Sequence, residues 1–279
     1  MSVDIKLNLI KPSKDLVNCS LGYHIFSPVK EDRSSIPMLR LLTLMNNDFN
    51  SLLNNQNYYD STIKKLILNK KLTSCEKNLV KLTNKVIKAK IDYTIDKKFS
   101  DIYFNKYKIE VLPKLTKILE SLFLDLSIEL YVYFTDDPFK GGSGGSATDI
   151  GFYLSLSKVF LESNNHQYSI IFRIFTHELL HSVNDNSKEY LSIKQKLNKK
   201  DIHLFSEILT STIENICMYE LGYSDCKYLN YRYNLDPACC RVEDRLREVY
   251  DSWEKVRGKN KDKFIVYLEK NIDKVFLID

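Results

Sequence analysis

No stretch of this 279-residue chain reaches the roughly 18 consecutive apolar residues that a membrane-spanning helix needs, so no membrane insertion is expected. The first twenty residues carry Asp4, Lys6, Lys11, Lys14 and Asp15 and hold no apolar core of the kind found in secretion signals. That pattern predicts a soluble chain, cytoplasmic where it is made; export without a cleavable signal stays open. Six cysteines (Cys19, Cys75, Cys217, Cys226, Cys239 and Cys240) form no Cys-x-x-Cys pair, and the chain is long for a disulfide-stapled fold, so reduced thiols are expected. Charge of one sign is not concentrated either. The 41 Lys and Arg against 36 Asp and Glu give a net charge of +5 spread along the whole length, which neither implies nor excludes a nucleic-acid partner, and none is expected. With 44% hydrophobic residues the chain can build its own core and needs no metal as a folding staple.

Glycine is scarce, and half of the eight residues crowd into Gly141-Gly142-Ser143-Gly144-Gly145. Such a run could cradle a phosphate through its backbone N–H groups, but it lacks the Gly-Lys-Ser/Thr ending of a P-loop and precedes a strand-like segment, so it reads as a flexible flap leading into an edge strand. Elsewhere the pattern divides at about residue 125. Residues 1–35 look irregular, with one strand around Tyr23 to Phe26. Helices are expected after Pro37 (Leu39, Leu41, Leu42, Leu44, Met45), behind a capping box at Thr73-x-x-Glu76, and over Val111 to Leu124 with Pro113 near its start. These are read as an N-terminal helical region, 1–125. The remainder, 126–279, begins with Ile128, Leu130, Val132 and Phe134 alternating with Glu129, Tyr131 and Tyr133, the period of a strand, and a second strand is expected at Ile150 to Ser157. Helices follow over Tyr168 to Asn184, over His203 to Leu221 with Gly222 as C-cap after a charged stretch from Lys188 to Asp201, and at about Val242 to Val256 and Asp262 to Val275. The order predicts an α+β fold, mostly helical with a small sheet, whose two regions can form one compact unit.

Five residues stand out: His177-Glu178-Leu179-Leu180-His181. Side chains four apart share a helix face, so both imidazoles can reach one cation, while Glu178 flanks it and can take a proton from a metal-bound water. A hydrolytic zinc site needs a third protein ligand. A metzincin-like continuation fails, because Asn184 and Ser187 occupy the positions of its glycine and histidine. His203 could donate a nitrogen. Glu207 and Glu214, seven apart on the next helix, can both look back at the motif.

Thr176 to His181 followed by a glutamate on a later helix resembles the gluzincin branch of the zincin metallopeptidases. Ser206-Glu207-Ile208-Leu209-Thr210-Ser211 resembles the Asn-Glu-x-x-Ser-Asp segment of thermolysin-like enzymes, with Ser206 and Ser211 departing from it. The resemblance spans two helices and implies one zinc ion on His177, His181 and Glu207, with Glu178 as general base. It implies that Asp185 or Glu214 takes over the support of a ligand histidine, and that the Ile150 to Ser157 strand is the edge along which an extended peptide or protein substrate lies. It further implies an oxyanion donor among Tyr219, Tyr223, Tyr228, Tyr231, Tyr233 and His203, with Tyr231 taken here. The expected activity is peptide-bond hydrolysis. The alternative is a binding or regulatory protein on a zincin-like scaffold; a cysteine hydrolase is disfavoured because no cysteine stands in a nucleophile context.

Overall fold

Alternation of apolar side chains decides where the sheet lies and which elements cover it. The computed structural model describes residues 2–26, 55–87, 99–136, 143–156, 168–224, 237–259 and 262–276. Strands β1 (Val3–Leu9), β2 (Leu126–Asp136), β3 (Ser143–Thr148) and β4 (Gly151–Leu156) form one sheet in the order β1-β2-β4-β3. β1 and β4 both run parallel to β2, and β3 runs antiparallel to β4.

In β2, Leu130, Val132 and Phe134 point to one core while Tyr131 and Tyr133 point to another, as the period of two requires. The second core is closed by α1 (Lys14–Phe26), α2 (Tyr59–Ile67) and α3 (Ser74–Val86), whose Leu16, Val17, Ile63 and Leu79 meet Tyr133 and Tyr153. The expected capping box is present in α3: Thr73 accepts from the backbone N–H of Glu76, and the Glu76 carboxylate accepts from that of Thr73. On the opposite face lies the larger core, built on two π-helical turns (Phe99–Phe104 and Tyr107–Val111), α4 (Leu112–Leu122) and α5 (Tyr168–Asn186), with α6 (Lys188–Lys196) and α7 (Lys199–Glu220) beyond. Three helices complete it: α8 (Pro237–Val256), α9 (Phe264–Lys270) and α10 (Ile272–Val275). The fold is thus α+β and mostly helical, with a small sheet against the helix that carries the histidine motif. Among the described residues no helix is long and apolar enough to cross a membrane.

Four expectations change. Tyr23 to Phe26 close α1 instead of forming a strand; Leu16, Val17, Ser20 and Leu21 are buried at helical spacing, and that amphipathic face overrides the local β preference of the aromatic end. The strand near the N-terminus is β1, where Val3, Ile5 and Leu7 are buried and alternate with exposed Asp4 and Lys6. Lys188 to Lys196, read as a charged stretch, is helix α6: Ser187 accepts from the Tyr190 N–H as N-cap, and Tyr190 and Ile193 are buried. Finally, Gly144 and Gly145 belong to β3, and β3, not the Ile150 to Ser157 segment, is the sheet edge on this side. β4 lies inside the sheet with a neighbour on each flank. The helix expected after Pro37 and residues Gly141 and Gly142 lie outside the described residues.

Candidate metal centre

Helix α5 is held in place before its histidines are considered. Tyr107 stacks on Phe175 with ring centroids 3.9 Å apart, and its hydroxyl is 2.9 Å from the Thr176 hydroxyl, which fixes the turn just before His177. At the other end, Ser182 Oγ donates to the Thr148 carbonyl (2.7 Å) and Asn186 Nδ2 to the Asp149 carbonyl (2.6 Å), riveting the helix to the β3–β4 turn. Lys64 of α2 reaches the same turn through an ion pair with Asp149.

α7 lies antiparallel to α5, since residue 177 meets residue 214 and residue 181 meets residues 207 and 210. That pairing brings His177, His181 and Glu207 together with their ligand atoms all within 4.8 Å of one another. The two Nε2 atoms are 3.2 Å apart, and each lies 3.6 Å from a Glu207 oxygen. A tetrahedral ion with bonds of about 2.0–2.2 Å sets its ligands about 3.4 Å apart, a spacing close to the Nε2–Nε2 distance and to the distance from each Nε2 to one Glu207 oxygen, Oε2 for His177 and Oε1 for His181. The three side chains keep 18%, 16% and 25% of their surface exposed, so the cluster is reached by solvent, and three protein ligands leave the fourth corner of a tetrahedron open. Two imidazoles and one carboxylate suit a borderline cation, and the open corner suits hydrolysis more than structure. This is a metal-binding triad of gluzincin-like architecture, His-Glu-x-x-His plus a downstream glutamate, in the geometry of a Glu-assisted zincin peptidase site.

Each histidine is aimed from behind. Fully buried Glu214 sits 2.8 Å from His177 Nδ1, and Arg173, one turn earlier on α5, donates to Glu214 and to Asn215. Glu214 therefore orients a ligand instead of being one, and it does so one turn further along α7 than the Ser211 position of the resembling segment. Asp185, the other candidate for that support, pairs with Lys194 instead. His181 Nδ1 faces two hydroxyls, Thr210 Oγ1 at 3.3 Å and Ser206 Oγ at 3.4 Å, and Asn184 donates to Thr210. A hydroxyl that accepts from Nδ1–H leaves Nε2 as the free lone pair facing the metal. Arg173, Asn184 and Thr210 escaped the sequence reading, although Arg173 stands four residues before His177 and Thr210 three after Glu207, spacings that place them on the inward faces.

Electrostatics follow from this crowding. Burial works against a charged His177, but hydrogen bonds to Glu207 and Glu214 outweigh it and lift its pKa to about 10. Glu207 is held well below the usual carboxylate range: burial opposes its charge, and His181 and His177 more than compensate. Both shifts favour a positive charge beside these carboxylates. Glu178, only 7% exposed, has its pKa raised by burial, with His177 and His181 pulling the other way. It lies outside the ligand cluster, beneath Gly145 of β3. His203 Nδ1 is 3.9 Å from Glu207, at the exposed mouth. Tyr219 is exposed at the far end of α7 and Tyr223 packs edge-on against Phe172. Tyr228, Tyr231 and Tyr233 lie outside the described residues.

Comparison with protein-family models, with curated proteins and with solved structures finds no match to this chain.

Proposed function

We propose that the chain is a zinc-dependent metallopeptidase carrying one Zn²⁺ on His177, His181 and Glu207. When bound, zinc supplies an activated water and polarises the scissile carbonyl. Glu178 accepts the proton from the attacking water and delivers it to the leaving amine; a buried carboxylate with a raised pKa suits both halves of that transfer. The observation that carries the reading is the pairing of a three-ligand face, open at its fourth corner, with a separate buried carboxylate on the same helix. Edge strand β3 passes against that carboxylate at Gly145, so an extended peptide or protein substrate paired with β3 would lie beside Glu178 and the His177, His181 and Glu207 cluster. His203 at the mouth, or Tyr231, donates to the developing oxyanion. Burial disfavours a thiolate at two of the thiols, pushing Cys19 up to about 12 and Cys217 higher still.

The test is Glu178→Gln. It is expected to bind zinc at one equivalent and to lose about 10²–10⁴-fold in turnover on unfolded casein or a peptide library. Full activity in that variant would sink the proposal.

A further inference from the structure

The motif helix and the edge strand touch where the strand has no side chain. A Cβ at Gly145 would lie 2.6 Å from Cγ and 2.7 Å from Cδ of Glu178, and 2.5 Å from the backbone oxygen of Tyr153. Carbon atoms prefer about 3.5–4.0 Å, so neither side-chain contact is tolerable without movement. The helix cannot slide away to make room, because Ser182 and Asn186 tie it to the carbonyls of Thr148 and Asp149 in the adjoining turn. The strand cannot lift either. It is paired residue by residue with β4, Gly145 opposite Leu154, and β4 is pinned against β2. Strain from a side chain at 145 therefore falls partly on the Tyr153 carbonyl and partly on the one contacting group free to rotate, the Glu178 carboxylate arm.

We propose that Gly145 is a positioning residue for Glu178: its bare Cα forms the wall that sets the carboxylate arm, and a methyl group there displaces the base from the open corner of the metal site. The catalytic half of this statement rests on the peptidase reading; the steric half does not. β3 therefore serves as substrate edge and, at Gly145, as back-stop for the base.

The steric half is tested on metal-free protein with four chains: the parent, Gly145→Ala, Glu178→Ala and the double variant. Gly145→Ala is expected to lower Tm by roughly 5 °C in the parent and by a measurably smaller amount when residue 178 is alanine, since the clash with the Tyr153 carbonyl persists in both backgrounds and only the Glu178 contact is removed. Equal losses in both backgrounds overturn the proposal. So does failure of Gly145→Ala to accumulate in both backgrounds alike, whereas rescue of soluble protein by Glu178→Ala supports it. For the catalytic half, Gly145→Ala is expected to lower kcat about 10- to 100-fold while zinc affinity and KM move less than about threefold. Unchanged kcat overturns it. The Tm coupling is read without substrate, so a chain that cleaves no peptide but shows the coupling refutes the peptidase reading and leaves the Gly145–Glu178 contact standing.

Discussion

His177 and His181 are alike in the motif but are backed by different chemistry. His177 meets a fully buried carboxylate that is itself clamped by Arg173, whereas His181 meets two neutral hydroxyls. Charge-assisted bonds are roughly twice as strong as neutral ones, so the two supports contribute unequally. Glu214→Gln is expected to weaken zinc binding about 10- to 100-fold, and Thr210→Val distinctly less, in competition with a colorimetric chelator. Equal losses would contradict the assignment. The same asymmetry fixes a pH dependence. His177 has a folded-state pKa raised from 6.5 to about 10, so the stability its cation contributes to the metal-free protein is fully present below about pH 6.5 and disappears as pH rises through 10. Thermal melts of metal-free protein are expected to fall across that window, and His177→Ala to flatten the fall. Zinc must displace this proton, so uptake at pH 7–8 is expected to release about one proton, measurable by calorimetry in buffers of different ionisation enthalpy. The histidine pair was legible because a five-residue pattern on one helix encodes its own geometry. The choice of Glu207 over Glu214 was legible only through resemblance, because residues seven apart share a helix face and only the packing of α7 against α5 separates ligand from support.

At the scale of elements, legibility followed periodicity and capping. Helix α3 was announced by Thr73-x-x-Glu76, and its carboxylate does more than cap: buried Glu76 also accepts from Ser61 and pairs with Lys65 of α2. Burial opposes its charge, but these partners together hold its pKa down at about 2. A carboxyl lowered in the folded state stabilises above its unfolded pKa of about 4.5 and loses that contribution as pH falls through 2. Glu76→Gln is therefore expected to cost about 1–2 kcal/mol at pH 7 in urea melts, and the gap to the parent is expected to close as the pH drops from about 4.5 toward 2. Strand β2 was legible for a similar reason, its alternation being long. β3 was not, because Ser143, Gly144, Gly145 and Ser146 carry no β preference and become a strand only through pairing with β4. Nor was β1, whose alternation is short and whose partner lies far away in sequence. α6 was masked by its charge, since only Tyr190 and Ile193 face inward on so short a helix.

Across the whole molecule the sheet is a shared wall. Its Tyr131 and Tyr133 side faces α1, α2 and α3, its Leu130 and Val132 side faces α5, and the β3–β4 turn is held from both by Lys64 and Asn186. A fragment spanning 126–279 would expose the tyrosine face and leave β2 with an open edge where β1 belongs. Such a fragment is expected to be poorly soluble and to lack a cooperative thermal transition; a fragment that melts cooperatively and binds zinc would show that the N-terminal layer is dispensable. The pairing of β1 with β2 has one more consequence, in time instead of space. Ser2 and Asp125, joined at the mouth of that ladder, are separated by 123 positions, so closure of a long loop precedes any gain from the strand. During synthesis Val3, Ile5 and Leu7 emerge well before Leu126 to Val132, their partners in the ladder. For that interval the nascent chain offers an unpaired strand to any passing edge, so aggregation during synthesis is expected to begin at this segment.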